Sequence, residues 1–214
     1  MRLHRRLLTS LCMVTAAMAV TASIASAAAP PPPRFGISFT GTTGRGDDPA
    51  QCGGPKTQWN ATPNWSTPIR LDTDGRRGGC LLGFGLQDPS HVFAGLDISY
   101  QWYPTGGGND NQCGSPGQYT VPTNVGYGPN IIVDTDDSAG GCYLVFSVSG
   151  RDDVALDIKF YADTDNGQCG NALPQNEYWT ASSSESVTLL DDTDGRPGGC
   201  ELQFRLSQIT PGQS

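Results

Sequence analysis

The run Asp72-Thr-Asp-Gly-Arg-Arg-Gly-Gly-Cys80-Leu-Leu-Gly-Phe-Gly-Leu86 recurs twice along the chain. Its counterparts begin Asp134-Thr-Asp-Asp-Ser-Ala-Gly-Gly-Cys142 and Asp192-Thr-Asp-Gly-Arg-Pro-Gly-Gly-Cys200. After each cysteine the residues alternate. Cys80, Leu82, Phe84 and Leu86 share one face, as do Cys142, Leu144, Phe146 and Val148, and Cys200, Leu202, Phe204 and Leu206. A period of two with one apolar side predicts a strand with one buried face. The cysteine lies on the core side, so its bridge is expected to be buried.

A second apolar stretch precedes each copy: Ile69-Arg-Leu71, Ile131-Ile-Val133 and Val187-Thr-Leu-Leu190. With strands on both sides, the Asp-Thr-Asp-x-x-x-Gly-Gly element reads as a hairpin connection. Asp side chains bond nearby backbone, and Gly accepts positive φ. Two more elements recur upstream in the same order. One is Gln51-Cys52-Gly53, Gln112-Cys113-Gly114 and Gln168-Cys169-Gly170. The other is Gly36-Ile-Ser-Phe39, Asp97-Ile-Ser-Tyr100 and Asp157-Ile-Lys-Phe160. Aromatic segments between the paired cysteines, at Trp59, Tyr119 and Tyr178-Trp179, predict one further strand per copy.

The chain therefore reads as all-β, built from three tandem repeats of about 60 residues with four short strands each. The expected divisions are 35–92, 93–154 and 155–210, followed by a tail at 211–214. A pseudo-threefold domain follows, either β-trefoil-like, prism-like or an array of small sandwiches.

Residues 1–27 read as a secretory signal peptide. Arg2, Arg5 and Arg6 lead an apolar run that ends at the cleavage site Ala25-Ser-Ala27. No second apolar span follows, so a membrane protein is not expected. Cys12 leaves with the signal, and six cysteines remain in an oxidising compartment, the setting of a disulfide framework. Two pairings respect the repeat. One joins Cys52–Cys80, Cys113–Cys142 and Cys169–Cys200 within repeats; the other joins Cys80–Cys113, Cys142–Cys169 and Cys200–Cys52 between them. The first is preferred, because a duplicated unit carries its own bridge.

Without the three leading arginines, ten bases face 21 acids. This balance disfavours a nucleic-acid partner, which needs a basic surface for counterion release. The paired carboxylates Asp72 and Asp74, Asp134 and Asp136, and Asp192 and Asp194 are weak calcium candidates. The twelfth loop position should be Glu, but Gly83 and Gln203 stand there. Turn chemistry explains these carboxylates better, and also Asp163-Thr-Asp-Asn-Gly167. No cofactor is expected. Catalysis is disfavoured as well, since there is no nucleophile elbow and His91 stands alone after the turn Asp88-Pro-Ser.

Trp59, Trp65, Trp102, Tyr103, Tyr119, Tyr127, Tyr178 and Trp179 offer stacking faces for sugars. Cross-strand packing is the commoner use of strand aromatics. Threefold repeats are also a lectin format, which keeps a threefold carbohydrate-binding lectin as an alternative.

One distinctive segment lies outside the repeats: Ala28-Ala-Pro-Pro-Pro-Pro-Arg34-Phe35. Four prolines hold an extended polyproline II arm over 28–34. Pro30, Pro31, Pro32, Pro33, Arg34 and Phe35 are the candidate partner-binding residues. A pre-extended arm loses little entropy on docking, and Arg34 adds one charge. An extended Arg segment also suits a trypsin-like cleft, so a secreted serine-protease inhibitor is a further alternative.

A secreted, disulfide-bonded, non-catalytic β protein of this size with such an arm resembles the adaptor subunit of the umbrella toxin particles of filamentous actinobacteria. The resemblance lies in layout and in the arm, Ala28 to Phe35. It implies an adaptor between a repeat-containing toxin subunit and a lectin subunit with a trypsin-like domain, whose cleft receives the arm.

Overall fold

The computed structural model describes residues 29–41, 52, 56–71, 79–106, 113, 116–133, 141–162, 169–191 and 199–209. Residues 1–28, Asp72, Asp74, Asp134, Asp136, Asp192, Asp194, the Asp163–Gly167 run and the tail at 211–214 lie outside them. The described elements are twelve strands. The first four are β1 (Arg34–Gly41), β2 (Lys56–Ala61), β3 (Ile69–Leu71) and β4 (Cys80–Gln87). The next four are β5 (Asp97–Pro104), β6 (Gly117–Thr120), β7 (Ile131–Val133) and β8 (Cys142–Ser149). The last are β9 (Val154–Ala162), β10 (Trp179–Ala181), β11 (Val187–Asp191) and β12 (Cys200–Gln208).

These strands form three antiparallel sheets, ordered β2-β1-β4-β7, β6-β5-β8-β11 and β10-β9-β12-β3. Each sheet holds the first, second and fourth strands of one repeat, and its outer strand comes from another repeat. β7 pairs with β4, β11 with β8, and β3 returns to β12 to close the ring. Two expectations change here. The Asp-Thr-Asp-x-x-x-Gly-Gly element is no hairpin connection. The strand before it and the strand after it belong to different sheets, so the segments 72–78, 134–140 and 192–198 join one sheet to the next. An array of separate small sandwiches is also set aside, because no sheet is made by one repeat alone. Alternation reports which side of a strand is buried, not which strand lies beside it.

The three sheets turn their apolar faces to one core, a prism-like layout. At its centre are Phe84, Phe146 and Phe204, each four residues beyond a repeat cysteine and each at most 1% exposed. Their ring centroids lie 5.1, 5.4 and 5.5 Å apart, in tilted and edge-on contacts that favour aromatic clusters. Burying each ring stabilises the fold by roughly 1.5–3 kcal/mol.

The disulfides are Cys52–Cys80, Cys113–Cys142 and Cys169–Cys200, so each lies within one repeat. All six cysteines are buried. Each bridge ties the segment after a repeat's first strand to the start of its fourth.

Candidate binding face

The three sheets are alike inside and unlike outside. On the first sheet the outward positions include Gly36, Gly83 and Gly85. Side chains are missing there because the chain itself covers the face. A Cβ at Gly85 would stand 2.2 Å from the Gly126 carbonyl oxygen, and one at Gly36 would stand 2.5 Å from the Trp59 ring. Trp59 stacks on Tyr127 at 4.7 Å above these glycines. This face is closed.

On the third sheet the same positions carry Asp157, Gln203 and Arg205. Thr180, Asp157 and Arg205 are direct cross-strand neighbours on β10, β9 and β12. Arg205 donates to Asp157 Oδ2 from Nε at 3.0 Å and from Nη2 at 2.6 Å, and Thr180 Oγ1 donates to Oδ1 at 3.0 Å. Asp157 is only 3% exposed, which its three donors make tolerable. A second row runs Tyr161, Glu201, Arg70 across β9, β12 and β3. Tyr161 donates to Glu201 Oε2 at 2.5 Å, and Arg70 Nη2 donates to Oε1 at 2.8 Å. Burial, reinforced by the bond to Glu201, pushes the Tyr161 phenol up to about 12.

Between the rows lies Trp65. Its position follows from Ser66, which is buried and bonded three times to β12. Ser66 N donates to the Phe204 carbonyl at 2.9 Å, and Phe204 N donates to Ser66 Oγ at 2.9 Å. Gln203 Nε2 adds a bond to the Ser66 carbonyl at 2.8 Å. The Arg205 guanidinium then stacks 4.4 Å from the Trp65 ring and 5.2 Å from the Tyr178 ring, and the Lys159 ammonium stands 4.9 Å from Trp65. Such stacking leaves in-plane guanidinium hydrogens free to donate.

The other aromatics named from the sequence do structural work. Trp102 is buried and donates to the Cys113 carbonyl at 2.6 Å, and Tyr119 stacks on it at 5.4 Å. Trp179 packs half-buried against the core. Tyr103 is exposed beside Tyr143 at 5.2 Å. His91 is exposed in the turn after Asp88, whose carboxylate accepts from the Val92 and Phe93 amides. Among the described residues, no group of three His, Cys, Asp or Glu side chains is placed to hold a metal ion, and no helix is long and apolar enough to cross a membrane.

The Pro-rich arm divides at Pro33. Pro30, Pro31 and Pro32 are exposed. Pro33 is buried, and its carbonyl accepts from Thr62 N at 3.1 Å and from Thr62 Oγ1 at 3.4 Å. Phe35 is no docking residue: it is 2% exposed and stacks on Phe84 at 5.9 Å. Arg34 has an exposed side chain, but its backbone lies inside a sheet, opposite Ala61 on one side and Gln87 on the other. The free arm is therefore shorter than the proline run suggests, because the sheet recruits everything from Arg34 onward.

Asp157, Lys159 and Arg205 were visible as residues but not as a site. The available signal was asymmetry among copies. Gly85, Ser147 and Arg205 are equivalent, as are Gly36, Asp97 and Asp157, and only the third copy sets opposite charges on both strands. No family model, curated protein or solved structure matches the chain.

Proposed function

We propose that the chain is a secreted, non-enzymatic interaction protein, an adaptor in an extracellular assembly that docks through its N-terminal arm. The observation that carries this reading is the fixed root of the arm at Pro33, with three exposed prolines beyond it. A stiff arm leaving a rigid body is presented in one direction and has little freedom to lose on binding. The three disulfides suit an oxidising, extracellular setting. In the assembly that the arm resembles, the partners are a toxin subunit and a lectin subunit with a trypsin-like domain. Protease inhibition through Arg34 is the less favoured use, because offering Arg34 to a protease cleft requires peeling β1 from both β2 and β4.

The test compares the full secreted chain with a form lacking Ala28–Pro32, both purified natively from culture supernatant. Secreted partners should co-purify with the first and be lost from the second. Isolation of both as free monomers refutes the adaptor reading. A trypsin inhibition assay on the full chain separates the inhibitor from it.

A further inference from the structure

Beside the Asp157–Arg205 pair the surface opens into a groove of about 640 Å³, whose lining includes Asp157, Tyr178, Thr180, Ser184, Glu185 and Arg205. Three of its properties point to one ligand chemistry. Its charge offers little to a small anion. Arg205 is already paired with Asp157, and Glu185 adds a second carboxylate, so one guanidinium stands against two carboxylates in the lining. Its polar lining is rich in hydroxyls, from Tyr178, Thr180, Ser182, Ser184 and Ser207. Hydroxyls both donate and accept, and they suit a ligand that does the same. Tyr178 is 46% exposed, with Arg205 5.2 Å from its ring, which leaves aromatic surface for a ring of C–H groups.

The rigid parts are already paid for by folding. Asp157 is almost fully buried and held by three hydrogen bonds, so its oxygens and the Arg205 fork keep their positions without a ligand. Among the described residues the guanidinium bonds Asp157 through Nε and Nη2, leaving Nη1 for another acceptor. A neighbouring opening of about 450 Å³ shares Arg205, Ser207 and Gln208 and reaches Pro33 and Pro63, so the groove extends along the sheet rather than ending in a pit.

We infer that this groove binds a neutral carbohydrate, at one site per chain and not at three. The equivalent face of the first sheet is closed by Trp59, Tyr127 and Gly126, and the second sheet has Ser147 where the third has Arg205. The repeat thus supplies the frame, and the third copy alone supplies the site.

The test uses the full secreted chain with methyl glycosides of mannose, galactose and glucose, with N-acetylglucosamine, and with glucuronate as the charged comparison. Saturation-transfer NMR reads contact, and titration reads affinity and stoichiometry. A neutral sugar should bind at one site with millimolar affinity, the range of a single small polar ligand. Tyr178→Ala should weaken it by about tenfold, the effect of losing a central stacking anchor. Tyr103→Ala, on the second sheet, should leave it within about twofold. Both side chains are partly exposed, and each packs on a neighbour, Tyr178 on Trp65 and Arg205, and Tyr103 on Tyr143, so both variants should stay folded with a comparable, small loss in Tm. Three equivalent sites, preference for glucuronate, indifference to Tyr178→Ala, or no contact with any neutral sugar would each overturn the proposal. Binding of a polar peptide in place of every sugar would do the same. The arm deletion leaves all of these residues in place, so this result and the adaptor result are independent.

Discussion

Asp157 offers the sharpest check of how the third sheet is held. Replacing it with Ala removes a carboxylate that is 3% exposed and accepts three hydrogen bonds. The guanidinium of Arg205, whose side chain is 24% exposed, loses its counter-charge but stays stacked on Trp65 and Tyr178. Breaking a fully buried pair costs about 3–5 kcal/mol and an exposed one below about 1 kcal/mol. This pair lies between those limits, because only one partner is fully buried, so Asp157→Ala should cost about 2 kcal/mol. For a chain of this size that is roughly 4–8 °C in Tm. Arg205→Met should cost more, about 3 kcal/mol, since it strands the buried partner of the two. The double variant Asp157→Ala with Arg205→Met should fall short of the summed losses by about 1.5–3 kcal/mol, as contacting residues do. Urea unfolding with the disulfides intact measures all three. Single losses below about 0.5 kcal/mol, or strict additivity, would show that the two side chains are not coupled.

Three further outcomes follow from other parts of the molecule. Gly85→Ala should cost about 1–3 kcal/mol by forcing the Gly126 backbone off the first sheet, while Ser147→Ala at the equivalent position should cost under about 0.5 kcal/mol; thermal unfolding compares them. Replacing any one cysteine pair with Ser should cost about 3.6 kcal/mol in the chain-entropy model, nearly the same for each bridge because their separations are 28, 29 and 31 residues; urea unfolding that ranks one bridge far above the others would refute that equivalence. Tyr100 and Tyr161 are both pushed up to about 12 from 10.0, chiefly by burial. The folded state holds these protons more tightly, so their contribution is complete below pH 10 and lost as pH rises through 12. Phenolate absorbance that reaches its full seven-tyrosine amplitude with one ordinary midpoint while the protein stays folded would contradict the burial.

Much of the fold was legible because its signals are local. The alternation after Cys80, Cys142 and Cys200 reports a strand with one apolar side, and the core phenylalanines lie on that side. Spacing together with the repeat narrowed the bridges to two schemes, and the pairs joined in the structure are those within repeats. The hairpin reading of the Asp-Thr-Asp element went astray for a nonlocal reason. Ile69–Leu71 is equally apolar whether it lies beside β4 or β12, and only the closed ring of three sheets selects β12.

The candidate site was harder to read for a related reason. Trp65 and Tyr178 are 113 positions apart, and Arg205 and Asp157 are 48 apart. Nothing in composition brings them together; the pairing of β12 with β9 and the Ser66 clasp on Phe204 do. Phe35 shows the opposite case, a residue that looked free beside the prolines and was drawn into the core as β1 entered its sheet. Periodicity and repetition were sufficient for strand positions, buried faces and three equivalent units, since each depends on residues close in the chain. Which strand lies beside which, which face stays open, and where the arm ends were settled by packing, since each depends on surfaces that meet only after the ring has closed.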